Sequence, residues 1–150
     1  MTDMPPESDD RRDRMLEAGF AVRRAVLGDV HVDRAQSQTD DLTRDFQELI
    51  TRYAWGEVWS RPGLDRRTRS CLTLALLTAL HCHEELALHV RAAVTNGVTR
   101  EEIAEVLLHT SVYAGVPAAN SAFAIARRTL DELDVPAGES TAELDAGADG

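Results

Sequence analysis

Apolar residues recur along this chain at the three- and four-residue spacing of helices, and no segment alternates with the period of a strand between hairpin turns. The pattern predicts an all-α fold, a single-domain bundle of about six helices. The first runs near residues 11–27, with Leu16, Phe20 and Leu27 on one side and Gly28 as its stop. A polar loop is expected next. The second, near 41–54, carries Phe46, Leu49, Ile50 and Tyr53 at the i, i+3, i+4, i+7 spacing of one buried stripe. Asp65 is placed to cap the third, whose body from Cys71 to Leu80 is apolar almost all the way round. Such a helix must be covered on every side. In so short a chain another subunit most easily supplies part of that cover, so a homo-oligomer is expected. The helix is too short to span a membrane.

The fourth helix, near 83–95, opens with Glu84 and Glu85, where the helix dipole favours them, and stops at Asn96-Gly97. Thr99 and Glu102 form a capping box for the fifth, whose stripe is Ile103, Val106, Leu107 and Thr110 and whose end is Gly115. Pro117 suits the first position of the sixth, which should turn Phe123, Ala126, Leu130 and Leu133 inward. Between the second and third helices, residues 55–63 read Trp-Gly-Glu-Val-Trp-Ser-Arg-Pro-Gly, too rich in aromatic and turn residues for a plain connector. That segment is a candidate site.

The net charge of −10 changes meaning once it is located. Residues 1–10 and 131–150 hold eleven of the 26 carboxylates, leaving sixteen basic residues against fifteen acids between them. The expected organisation is an acidic disordered tail over 1–10, a helical domain over 11–133 and a second acidic tail over 134–150. Acidic ends around a near-neutral middle argue against nucleic acid, which requires a basic face. Every basic residue is Arg, so chemistry through a Schiff-base lysine is excluded. Two cysteines, with no signal peptide before them, suggest the cytoplasm.

Several groups have the residue types that chemistry needs. Glu85 and His89 stand at i, i+4, so the carboxylate can orient the imidazole and favour its protonated form, a general acid; a surface ion pair is the plainer alternative. His109 and Tyr113 repeat that spacing. Arg61, Arg66, Arg67 and Arg69 against Asp65 leave an excess of cations beside Trp55 and Trp59, suited to a small carboxylate or simply to solvent or a subunit contact. Glu57, between the tryptophans, is either a catalytic carboxylate or an arginine's partner. His81-Cys82-His83-Glu84-Glu85 offers metal ligands, but His83 and His89 are six apart rather than four, so no metal is expected. Cys71 reads as a buried small side chain. Cys82 sits near a helix start without a second cysteine three residues away.

Taken together, His89-x-x-x-Ala93-x-x-x-Gly97-x-Thr99-x-x-Glu102-Ile103-x-Glu105 resembles the carboxymuconolactone decarboxylase and alkyl hydroperoxidase D-like superfamily. The stretch Tyr113-Ala114-Gly115-Val116-Pro117-Ala118-Ala119-Asn120 looks like its next helix boundary. Residues 53–64 with Arg67-x-Arg69-Ser70 are similar to the 4-carboxymuconolactone decarboxylase branch, and the likeness spans roughly residues 15–130. Hydroperoxidase D-like members carry Cys-x-x-Cys-x-x-x-His with a glutamate twelve residues upstream. Here Cys82 and His89 are kept, but Glu85 stands at the second cysteine and Ser70 at the glutamate, so a dithiol cannot form. That favours the decarboxylase over the thiol peroxidase, with a non-catalytic helical binding protein as a third reading.

The resemblance implies cofactor-free decarboxylation of a lactone dicarboxylate in protocatechuate catabolism, by a homo-oligomer, trimer or hexamer. Loss of carbon dioxide from that substrate leaves a dienolate delocalised onto the lactone carbonyl, so the substrate is its own electron sink. The residues matched to the remaining tasks are Arg61 or Arg69 for the retained carboxylate, and His89 with Glu85, or Glu57, for the proton. Tyr113 or Asn120 would meet the lactone oxygen, and Trp55 and Trp59 would form a dry wall.

Overall fold

The computed structural model describes residues 6–134; residues 1–5 of the first expected tail and 135–150 of the second lie outside them, whereas 6–10, expected in the acidic tail, open the first helix. The described residues form seven α-helices and a π-helical segment, with no strand among them. The helices are α1 (Pro6–Leu27), α2 (Asp29–Ser37), α3 (Arg44–Ile50), α4 (Arg66–Ala79), α5 (His83–Thr95), α6 (Arg100–Ala114) and α7 (Val116–Asp134). The π-helical segment, Thr51–Val58, continues α3. No helix is long and apolar enough to cross a membrane.

Helices α4 to α7 enclose the main core, in which Leu74, Leu86, Val90, Ile103, Leu107, Ala122 and Leu130 are buried. Their boundaries follow local chemistry. The Thr68 N–H donates to the Asp65 carboxylate at 2.7 Å, and Thr99 and Glu102 exchange both bonds of the capping box. Gly115 takes φ 93, a conformation costly for any side chain, and α7 starts at once at Val116, one residue before Pro117. Within α7, Ala126 and Leu130 face inward as expected, whereas Phe123 and Leu133 are exposed and Ala119 and Ala122 take the interior positions.

From Cys71 onward α4 is apolar nearly all round, but only Leu74 among its leucines is fully buried; Leu72 and Leu76 are exposed, as is Leu80 just beyond. With Leu108 and Val112 of α6, also exposed, they flank a groove between the two helices lined by Thr68, Cys71, Leu72, Ala75, Glu105, Val106, His109 and Thr110.

A smaller core joins α1, the π-helical segment and α5 through Val26, Trp55 and Ala92. Here two expectations fail. The segment read as a polar loop after Gly28 is α2: Gly28, at φ 86, stops one helix and begins the next, and Val32 buries completely. Of the stripe Phe46, Leu49, Ile50 and Tyr53 all but the half-buried Ile50 are exposed, and Thr51 and Trp55 are buried instead. Two features accompany this. At Trp59 the N–H donates to the Ala54 carbonyl five residues back at 2.8 Å, so the wider winding rotates the later positions out of α-helical register. And α1 meets this segment backbone to backbone, since a Cβ on Gly19 would collide with the Thr51 carbonyl and one on Gly56 with the Met15 carbonyl. Close approach draws in the Thr51 and Trp55 face, leaving the longer apolar side chains outside.

Candidate active site around His89

The π-helical winding stacks Trp55 above Trp59, with ring centroids 5.0 Å apart and planes 31° from parallel. Helix α5 brings His89 against both. Its imidazole lies 6.3 Å from Trp55, within 4° of parallel, and 6.4 Å from Trp59. Nδ1 of His89 is buried and has no hydrogen-bond partner. Desolvation by burial, helped by repulsion from nearby His31 and opposed by a weaker pull from Glu85, lowers its pKa to about 4. His89 is therefore neutral near pH 7.

This corrects the sequence reading of the Glu85 and His89 pair. Glu85 is on the same helix but exposed, no hydrogen bond joins the two, and its attraction is outweighed by burial. The resting imidazole is not a standing acid. It is an uncharged, desolvated base without a counter-ion, a group that gains a proton when negative charge arrives beside it.

The other predicted residues divide. Trp55, Trp59 and His89 converge. Arg69 is half-buried, its Nη2 donates to the Arg61 carbonyl at 3.3 Å, and its Nε is buried without a partner. Arg61 itself projects to solvent, and neither arginine is among the groups that act on His89. Arg67 is structural: it donates to the Gly97 carbonyl at 3.2 Å and pairs with Glu102, tying α4 to the start of α6. Glu57 is exposed. Tyr113 is 80% exposed, its ring 5.2 Å from that of His109, and Asn120 is exposed on α7; neither is among the side chains that pack on the indole pair.

The two sulfurs are apart in role as well as place. Cys71 is half-buried beside the α4 and α6 groove, where burial pushes its thiol up. Cys82 precedes α5, its thiol facing the Leu80 carbonyl. Among the described residues no three His, Cys, Asp or Glu side chains converge as a metal site requires.

Two groups near the site carry no sequence motif. His31, on the unforeseen α2, acts electrostatically on His89 and is itself lowered by burial and by Arg23 and Arg34. Arg23 is 5% exposed and donates only to neutral oxygens, Thr51 Oγ1 at 3.0 Å and Gln47 Oε1 at 3.2 Å, with Nε unpaired. A buried guanidinium with no carboxylate partner among the described residues leaves this side of the site positive. The signal that could have located them was Gly28-Asp29, a stop that also serves as a helix start.

The profile of the carboxymuconolactone decarboxylase family matches residues 44–128. A 4-carboxymuconolactone decarboxylase of Acinetobacter baylyi is 47% identical over 123 residues, covering 82% of this chain and 92% of that protein. The nitrosuccinic acid decarboxylase of Metarhizium robertsii is 44% identical over 126 residues, 84% of this chain and 88% of its own. A 4-carboxymuconolactone decarboxylase of Pseudomonas putida is 56% identical over 41 residues, 27% of this chain and 85% of that sequence. By the extent of these matches, the chain belongs to the carboxymuconolactone decarboxylase family.

Proposed function

We propose that this protein is a carboxy-lyase converting 4-carboxymuconolactone to 3-oxoadipate enol-lactone in the cytoplasm, as a step of protocatechuate catabolism, without metal or organic cofactor. The observation that supports the reading best is His89, an uncharged imidazole held in a desolvated aromatic cage in a chain 47% identical to a protein of that activity.

The chemistry follows from that environment. The carbon–carboxylate bond breaks, carbon dioxide leaves, and the electron pair passes through the ring double bond onto the lactone carbonyl oxygen. A carboxylate desolvated against Trp55 and Trp59 loses its hydration, which favours its departure as a neutral gas. The dianionic substrate raises the affinity of His89 for a proton, and the imidazolium so formed delivers that proton to the ring carbon next to the carbonyl. One proton is consumed per turnover. Arg69, with an unpaired buried Nε, is better suited than Arg61 to meet an anionic oxygen. Glu85 has the role of a weak electrostatic modifier.

The relative acting on nitrosuccinic acid fits the same logic, since a nitro group beside a carboxylate is also a built-in electron sink. Purified protein is therefore assayed with both acids, following carbon dioxide and proton uptake. Turnover of the lactone with one proton consumed, and a loss of about two to four orders of magnitude in His89→Gln, is expected. Preference for nitrosuccinate would reassign the substrate, and near-normal turnover in His89→Gln would remove the imidazole from the step. The protein is further proposed to be a homo-oligomer, trimer or hexamer, joined through the exposed apolar faces of α4 and α6; a monomer by sedimentation at micromolar concentration would contradict this.

A further inference from the structure

We propose that the groove between α2 and α5, rimmed by His31, Arg34 and Arg91, is the subsite for the carboxylate that the substrate keeps, which rests on the decarboxylase reading above. The groove has a volume of about 540 Å³ and walls of Leu27, Val30 and Leu88. It starts where the aromatic cage ends, because Leu27 packs on the cluster of Trp55 and Trp59, and Leu88 immediately precedes His89. Val32 anchors α2 in the interior, and the helical spacing of Val30, His31 and Arg34 then turns all three toward the groove.

Its charge is of one sign. No carboxylate lines it. The acids of α2, Asp29 and Asp33, are both occupied by Arg24. Arg34 has no ion pair among the described residues, and Arg91 has one, to Glu132 on α7. Behind His31 stands Arg23, buried and without an acid partner. Three cationic or titratable side chains with apolar walls suit a carboxylate joined to a methylene and a ring.

Position also separates the two carboxylates of the substrate. A cation bonded to the departing carboxylate would hold back its loss, so the orienting charge belongs away from the cage. His31 and Arg34 satisfy that requirement, being beside the cage and not within it. An anion there relieves the mutual repulsion of His31 with Arg23 and Arg34, and so couples binding to protonation of the imidazoles.

The test uses Arg34→Gln and His31→Gln, with exposed Arg128→Gln on α7 as control. With 4-carboxymuconolactone, each groove variant is expected to raise KM about tenfold with kcat within about threefold. The control should match wild type. KM within twofold of wild type in both groove variants overturns the proposal. Adipate, which cannot lose carbon dioxide by this route, gives an answer independent of turnover. Followed by the imidazole proton resonances, it should raise the apparent pKa of His31 in wild type and not in Arg34→Gln. Absence of that shift in a protein that turns over the lactone overturns the groove alone. Absence of turnover with the shift intact overturns the substrate reading and leaves an anion subsite.

Discussion

Lowering the pH should unfold this protein through His89 in a way that a single substitution removes. An unperturbed imidazole titrates at 6.5, whereas the folded state holds this one near 4. Between those values the unfolded chain binds a proton that the folded chain refuses, so stability is complete above the upper value and declines as pH falls toward the lower. The two pKa values give a loss of about 2 kcal/mol at about pH 5 and about 3 kcal/mol at about pH 4. With a urea dependence of roughly 1–3 kcal/mol per molar, the denaturation midpoint should drop by about 1 M near pH 5 on this account alone. Carboxylates and His31 add pH dependence of their own, so wild type is compared with His89→Gln at one fixed subunit concentration. Glutamine in the cage lowers absolute stability at every pH by leaving an amide unpaired, but it does not titrate. The difference between the two proteins should therefore shrink by about 2 kcal/mol from about pH 7 to pH 5. Parallel pH profiles would show that His89 is solvated and ordinary, and the account of the cage would fall with it.

Two further outcomes follow from backbone geometry. Gly19→Ala should cost about 1–3 kcal/mol and depress turnover more than binding, because α1 must back away from the Thr51 carbonyl and carry the indole pair with it; thermal melting and kcat check this, and wild-type values for both would refute the close crossing. His81, in the turn between α4 and α5, holds φ 58. Exchange for glycine should relieve about 1 kcal/mol of strain and raise the melting temperature, and a fall would show that the ring, 6.3 Å from His83, contributes more than the strain costs.

What the sequence disclosed, and what it hid, follows the range of the forces involved. Caps are local, and Asp65, Thr99 with Glu102, and Gly115 stand where the residue types placed them. The stripe of α6 is equally local, and Ile103, Leu107 and Thr110 are buried. The aromatic segment near Trp55 and Trp59 was visible as chemistry because its composition is odd. Its π-helical winding was not, and neither was the backbone approach to Thr51 of Gly19, some thirty residues earlier. Glu85 misled for a related reason: i, i+4 spacing reports shared direction, whereas the protonation of His89 is decided by desolvation from Trp55 and Trp59, brought in from another helix.

The stretch that identifies the family begins at residue 44, yet α1 and α2 end before it and supply Val22, Val26, Leu27, His31 and Arg34 to the neighbourhood of His89. The helices of that stretch thus carry His89, and the leading pair furnishes a front wall beside it. Exchanging that wall between relatives should transplant acid preference without rebuilding the interior, whereas a fragment cut to the shared stretch would keep its histidine and lose the chamber around it.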